Sequence, residues 1–303
     1  MSERQISRRN FMGMAAVAGA AAVGMGLVGC SSGSSAAPAA KPVILVTSFG
    51  TSFADSRHIT IGAIEDDIRE AFPDYDVRRA FTAQIIIDHI EKDTGRHIDN
   101  FEEAMDKLVA EGVDTVIVQP THLMDGFEYT DIKDSIEKNY KDKIAKIALG
   151  EPLLVNEADQ KAVAEAIKAA MTKYEDDDTA ICLMGHGTEA ESNAIYATMQ
   201  KVFDDLGYKN YFVATVEASP TFDDVAKAAK DAGYKKAVLR PMMVVAGDHA
   251  NNDMADDSDP ESFAAIMKEA GFEVKSVIEG LGQLVDVDEI YVAHVQTAID
   301  SLA

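Results

Sequence analysis

From Val43 to the C-terminus, short runs of β-branched and apolar residues alternate with stretches of helical periodicity, the pattern of βαβ units around a parallel sheet. Val43-Ile44-Leu45-Val46-Thr47 has no polar alternation, so it reads as a strand buried on both faces. Ile61, Ile64, Ile68 and Phe72 then fall on one face of a helix that starts near Ser56 and is closed by Pro73. Strands follow over 76–80, 115–118 and 144–149, with an amphipathic helix marked by Phe101, Ala104, Met105 and Leu108. The second half runs in the same order, with strands over 180–184, 211–216, 237–239 and 273–278.

The halves repeat in letters as well. Gly112-x-x-x-Val116-Ile117-Val118-x-Pro120, continuing to Gly126, aligns without gaps on Gly233-x-x-x-Ala237-Val238-Leu239-x-Pro241, continuing to Gly247. Ser48-Phe49-Gly50-Thr51 matches Gly185-His186-Gly187-Thr188, and Ala80-Phe81-Thr82 matches Val216-Glu217-Ala218. The expected fold is α/β, with two similar Rossmann-like domains over 43–155 and 156–285, each carrying a parallel four-stranded sheet and facing a central cleft. A C-terminal helix is expected over 286–303.

Composition narrows the function. The 303 residues hold 52 Asp+Glu against 28 Lys+Arg, a net charge of −24, with no basic cluster. That argues against a nucleic-acid partner, which needs Lys and Arg to displace phosphate counterions. Two cysteines exclude a disulfide framework, and Cys182 lies in an apolar run where a thiol is inert. Ahead of the domains, Ser7-Arg8-Arg9-Asn10-Phe11-Met12 and the Ala/Gly-rich run to Val28 resemble a twin-arginine export signal, ending in a lipobox-like Leu27-Val28-Gly29-Cys30. Residues 1–29 are thus expected to be a signal peptide and 30–42 a flexible tether. Export by the twin-arginine route would leave the protein held to the cell membrane only by lipid on Cys30, facing the periplasm or the outside. The run is too short and too rich in Ala and Gly for a spanning helix.

In open α/β sheets a ligand sits beyond the carboxyl ends of the strands. There the first half offers Phe49, Phe81 and Glu128, and the matching positions of the second offer His186, Glu217 and His249. Two imidazoles and a carboxylate from three strand ends suit Zn, Fe, Co or Ni and leave coordination positions open. Each has an ordinary reading too: His186 in a tight turn, Glu217 at a helix start. His249 lies in a polar cluster denser than a turn needs, with Asp248 placed to orient its ring. His122 is placed to reach the same cleft and exchange protons there. His58, His89, His97 and His294 read as solvated or helix-face residues, although His89 and His97 could ligate a haem. Neither G-x-G-x-x-G at these strand ends nor a Walker lysine is present, which disfavours phosphate chemistry.

Ser48-Phe49-Gly50-Thr51-Ser52, Arg79-Ala80-Phe81-Thr82, Met184-Gly185-His186-Gly187, Val216-Glu217 and the run from Val245 to Met254 together resemble the anaerobic-type sirohydrochlorin cobaltochelatases, from about Val43 to the C-terminus. The resemblance implies a class II chelatase fold and ATP-independent insertion of Co²⁺ into sirohydrochlorin for cobalamin synthesis. Fe²⁺ or Ni²⁺ are alternative metals. It places the metal-binding His, Glu and His on His186, Glu217 and His249, with His186 and His249 also accepting protons. Phe49 and Phe81 would press on the macrocycle, and His122 and Glu128 would line its cleft. Sirohydrochlorin carries many carboxylates, so cations are expected at the rim, with Arg57, Arg78, Arg79 and Arg240 as candidates. An export signal is foreign to a cytoplasmic biosynthetic enzyme. The alternative is an exported carrier of haem, another tetrapyrrole or metal on the same fold. A homo-oligomer is compatible with either reading.

Overall fold

A computed structural model describes residues 41–303 of the chain; the segment expected to be an export signal, and Cys30, lie outside the described residues. Strands β1 (Val43–Ser48), β2 (Asp76–Phe81), β3 (Thr115–Pro120) and β4 (Lys146–Leu149) form one parallel sheet in the order β2-β1-β3-β4. Strands β5 (Thr179–Gly185), β6 (Tyr211–Thr215), β7 (Lys236–Pro241) and β8 (Glu273–Ser276) form a second with the order β6-β5-β7-β8.

The alternation of strand side chains explains why β1 and β5 read as continuous apolar runs. Ile44 and Val46 join one apolar cluster while Val43 and Leu45 join another on the opposite face. In β5, Ile181 and Leu183 enter that same first cluster, and Ala180, Cys182 and Met184 pack on the far side. One apolar core therefore runs through both halves.

The letter repeat is a repeat of physical devices. Asn100 and Glu103 cap the helix Phe101–Ala110 reciprocally, and Thr221 and Asp224 do so for Phe222–Asp231. Both helices end near a glycine of positive φ, 72° at Gly112 and 93° at Gly233, which lets the chain reverse into β3 and β7.

Three features differ from the expected pattern. The helix predicted from Ser56 is two helices, Ala54–Ile59 and Ile61–Ala71, broken at Thr60, whose hydroxyl bonds back to the Ser56 carbonyl at 2.6 Å. An additional helix, Gln84–Thr94, lies between β2 and Phe101–Ala110. The last helix, Val285–Asp300, returns to the first half: Tyr291 Oη donates to the Thr121 carbonyl at 2.9 Å, and His294 bridges the Glu151 carbonyl and the Asp159 carboxylate. Among the described residues no helix is long and apolar enough to cross a membrane.

Candidate active site

In each sheet the chain leaves the first strand toward one neighbour and the third strand lies on its other side, so a crevice opens beyond the carboxyl ends of β1 and β3, and of β5 and β7. The two crevices share one cavity of about 510 Å³. Its second-half wall begins at Gly185, where a Cβ would lie 2.0 Å from the Tyr196 ring, so only glycine fits. Tyr196 Oη in turn accepts a hydrogen bond from Gly187 N at 3.2 Å, and the φ of 87° at Gly187 turns the loop so that His186 faces the cavity.

The His186 and His249 rings meet edge to face with centroids 4.6 Å apart, and Glu217 Oε2 lies 3.8 Å from His186 Nδ1. His186 Nδ1 sits 2.8 Å from the Gly187 carbonyl, and His249 Nδ1 sits 2.8 Å from Asp253 Oδ2. A carbonyl and a carboxylate only accept, so each Nδ1 carries the proton and each Nε2 keeps its lone pair. The orienting carboxylate is Asp253, one turn along the π-helical segment Ala250–Met254, and not Asp248, which accepts from Asn252 at 2.9 Å.

The first half supplies the opposite wall. Phe49 occupies the turn equivalent to His186 and is 46% exposed on the cavity. Glu128 stands in the first turn of the helix Phe127–Ser135, equivalent to His249. Phe127 also lines the cavity and is 60% exposed; helical periodicity gave no sign of it, because an exposed aromatic at a helix start carries no packing pattern. His122 follows β3 on this wall, with Nε2 3.4 Å from Thr82 Oγ1 and an enclosed Nδ1 without a partner. Burial with no compensating charge pushes its imidazole down to about 4.

Phe81 is not on this wall. It is the last residue of β2, opposite Ser48, and is completely buried with Ile61, Ile87 and Ile90, where its ring packs against Gly50. The letter match that paired it with Glu217 is displaced by two residues. Thr82 N donates to the Ser48 carbonyl as Val216 N does to that of Gly185, so the true counterpart of Glu217 is Ala83.

The predicted cationic rim is also absent from the cavity. Arg79 makes a two-pronged ion pair with Glu65 at 2.6 and 2.7 Å, and Arg78 binds Glu111 and Asp76. Arg57 donates to the Thr51 and Ser52 carbonyls, holding the loop after β1. Arg240 is fully buried beside Gly280 and Glu279. His58, His89, His97 and His294 lie away from the cavity, His97 among Glu91, Asp99 and Glu103.

The family model for cobalt chelatase (CbiK) matches residues 42–300. The chain belongs to this family. It is 32% identical over 260 residues to the sirohydrochlorin cobaltochelatase of Salmonella typhimurium, covering 86% of this chain and 97% of that one. Sirohydrochlorin cobaltochelatase CbiKC of Nitratidesulfovibrio vulgaris is 27% identical over 266 residues, 88% of this chain and 93% of its own. Among solved structures, SirB from Bacillus subtilis with Fe³⁺ superposes with a TM-score of 0.61 at 14% identity, over 86% of this chain and 97% of SirB. The sirohydrochlorin chelatase SirB from Bacillus subtilis subspecies spizizenii, in complex with cobalt, gives 0.56 at 14% identity over the same shares. These structures establish the two-sheet chelatase fold.

The electrostatics of this cobalt chelatase family member are one-sided. Among the described residues lining the cavity, Glu128, Glu189, Glu217 and Asp248 are acidic and none is Lys or Arg. Such a cavity attracts a dication and repels an anion unless a cation is already present.

Proposed function

We propose that this protein inserts Co²⁺ into sirohydrochlorin without ATP, holding the ion on His186, Glu217 and His249. The observation that carries the reading is the pair of imidazoles whose Nδ1 atoms are committed to Gly187 and Asp253, which leaves both Nε2 lone pairs for a cation. Three ligands leave coordination positions for the pyrrole nitrogens, and the Glu217 carboxylate offsets the ion's charge while water is stripped. Phe49 and Phe127 bear on the face of the ring from the opposite wall, in place of the buried Phe81, with Glu128 beside them. The same ligand set accepts Fe²⁺ or Ni²⁺. The twin-arginine and lipobox motifs support an exported protein tethered by lipid on Cys30, where haem is a further candidate ligand.

Anaerobic insertion of Co²⁺ into sirohydrochlorin, followed by absorbance, tests the assignment. Wild-type protein should accelerate insertion, and His186→Ala and His249→Ala should each abolish the acceleration. A wild-type rate equal to the uncatalysed control, with metal or haem still bound, would leave an exported carrier instead.

A further inference from the structure

Glu217 is the metal-site residue least fixed by its own side chain. Its backbone N donates to the His186 carbonyl at 2.9 Å, but its side chain is 56% exposed and, among the described residues, approaches only His186, at 3.8 Å. Such a carboxylate stays beside the imidazoles only if the loop that carries it is fastened to the loop that carries His186.

Asn193 makes that fastening. Its Oδ1 accepts from Thr188 N at 3.0 Å, and its Nδ2 donates to the Ser219 carbonyl at 3.2 Å. The two ends of the amide cannot exchange, because a backbone N–H only donates and a carbonyl only accepts. One side chain thus spans from two residues beyond His186 to two residues beyond Glu217. We propose that Asn193 is a positioning residue, clasping the His186 and Glu217 loops so that both ligands stand ready for one cation. This inference rests on the metal-binding reading above.

The Thr188 end reaches the imidazole itself. The peptide joining Gly187 to Thr188 is bonded at both ends, its N–H to Asn193 Oδ1 and its carbonyl to His186 Nδ1 at 2.8 Å. Hydrogen bonds at the two ends of a peptide polarise each other. Asn193 therefore strengthens the acceptor that orients His186, as Asp253 orients His249 directly. Asn193 is itself held: Thr188 Oγ1 accepts from Ala190 N at 3.1 Å, and the Ala190 carbonyl accepts from Asn193 N at 3.0 Å.

A helix start offers asparagine an ordinary use, and Asn193 does not take it. Asn100 and Asn156 precede their helices and cap them, whereas Asn193, which leads into the helix Ala194–Asp205, makes no capping bond. The repeat points the same way. Carried on without gaps, the match of Ser48–Thr51 with Gly185–Thr188 places Ser56 opposite Asn193. Ser56 Oγ accepts from Ala246 N at 3.2 Å, in the loop that leads to His249. The same position in each half therefore ties down a ligand loop of the second half.

Co²⁺ titration of the protein alone tests the clasp, followed by calorimetry and by the visible ligand-field bands of the bound ion. Asn193→Ala should weaken Co²⁺ binding about 10-fold and alter the bands, because ring angle and carboxylate approach both change. Asn156→Ala, which removes a true helix cap, should lower the urea midpoint while leaving affinity and bands as in wild type. In insertion assays Asn193→Ala should raise the KM for Co²⁺ and leave that for sirohydrochlorin unchanged, a split that mere loss of folded protein does not produce. Wild-type affinity and bands in Asn193→Ala, or an equal loss of affinity in Asn156→Ala, would overturn the proposal. His186→Ala separates the two readings: if it binds Co²⁺ as wild type does, the metal assignment itself is wrong. If Asn193→Ala does not fold, Asn193→Asp keeps the acceptor for Thr188 and loses the donor to Ser219. Its bands should still shift, and an unchanged spectrum there is equally fatal.

Discussion

Asp253 lies one turn beyond His249 and accepts from its Nδ1 at 2.8 Å, which decides the ring nitrogen that meets a cation. Such carboxylate–histidine pairs raise the basicity of the coordinating nitrogen and fix the ring's angle. Asp253→Asn should therefore weaken Co²⁺ binding by about 10- to 100-fold, whereas Asp248→Asn should change it far less; titration followed by calorimetry separates the two. Sequence reasoning singled out His186, Glu217 and His249 because they are imidazoles and a carboxylate at strand ends, and the structure places all three on one cavity. That reasoning chose the wrong carboxylate because neighbours in sequence are not neighbours on a helical turn, where residues four apart meet. Phe81 was misplaced for a related reason. A match of three residues cannot fix the register past a strand end, and the backbone bonds of Thr82 and Val216 show a two-residue offset.

Among the elements, strands were the most legible, since a strand covered on both faces must be apolar throughout. The helix Gln84–Thr94 left little trace, because it buries only Ile87 and Ile90. The turns after β1 and β5 depend on glycines whose roles are conformational as well as spatial. Gly50 has φ 101°, and a Cβ there would lie 2.6 Å from the buried Phe81 ring. Gly112 has a φ of 72° but nothing within 4 Å of a Cβ. Gly112→Ala should consequently cost only the backbone term, about 1–2 kcal/mol. Gly50→Ala adds displacement of a packed aromatic ring and should cost roughly 3–5 kcal/mol. Urea unfolding of both variants checks the order. Equal losses would mean that the Phe81 ring yields without penalty and that the turn before the site is softer than its packing implies.

For the molecule as a whole, the dominant physical fact is negative charge. The chain carries −24, and its cavity adds Glu128, Glu189, Glu217 and Asp248 with no lining Lys or Arg among the described residues. The arginines that position alone suggested for a rim are committed elsewhere, Arg79 to Glu65 and Arg78 to Glu111. A dication is thus drawn inward, while a polycarboxylate tetrapyrrole meets a repulsive field that the bound ion partly cancels. Ionic strength should act on the two substrates with opposite sign. Raising salt from about 0.01 M to about 0.15 M shortens the screening length from about 30 Å to about 8 Å. The KM for Co²⁺ should then rise and the KM for sirohydrochlorin should fall, in steady-state assays at fixed concentration of the other substrate. Neutralising Glu189 to Gln, at a wall position outside the metal trio, should reproduce part of both shifts at low salt and diminish the response to added salt. If both constants rose together with salt, attraction between the tetrapyrrole's carboxylates and cations beyond the cavity would outweigh the acidic wall, and the capture of the metal would not govern the approach of the ring.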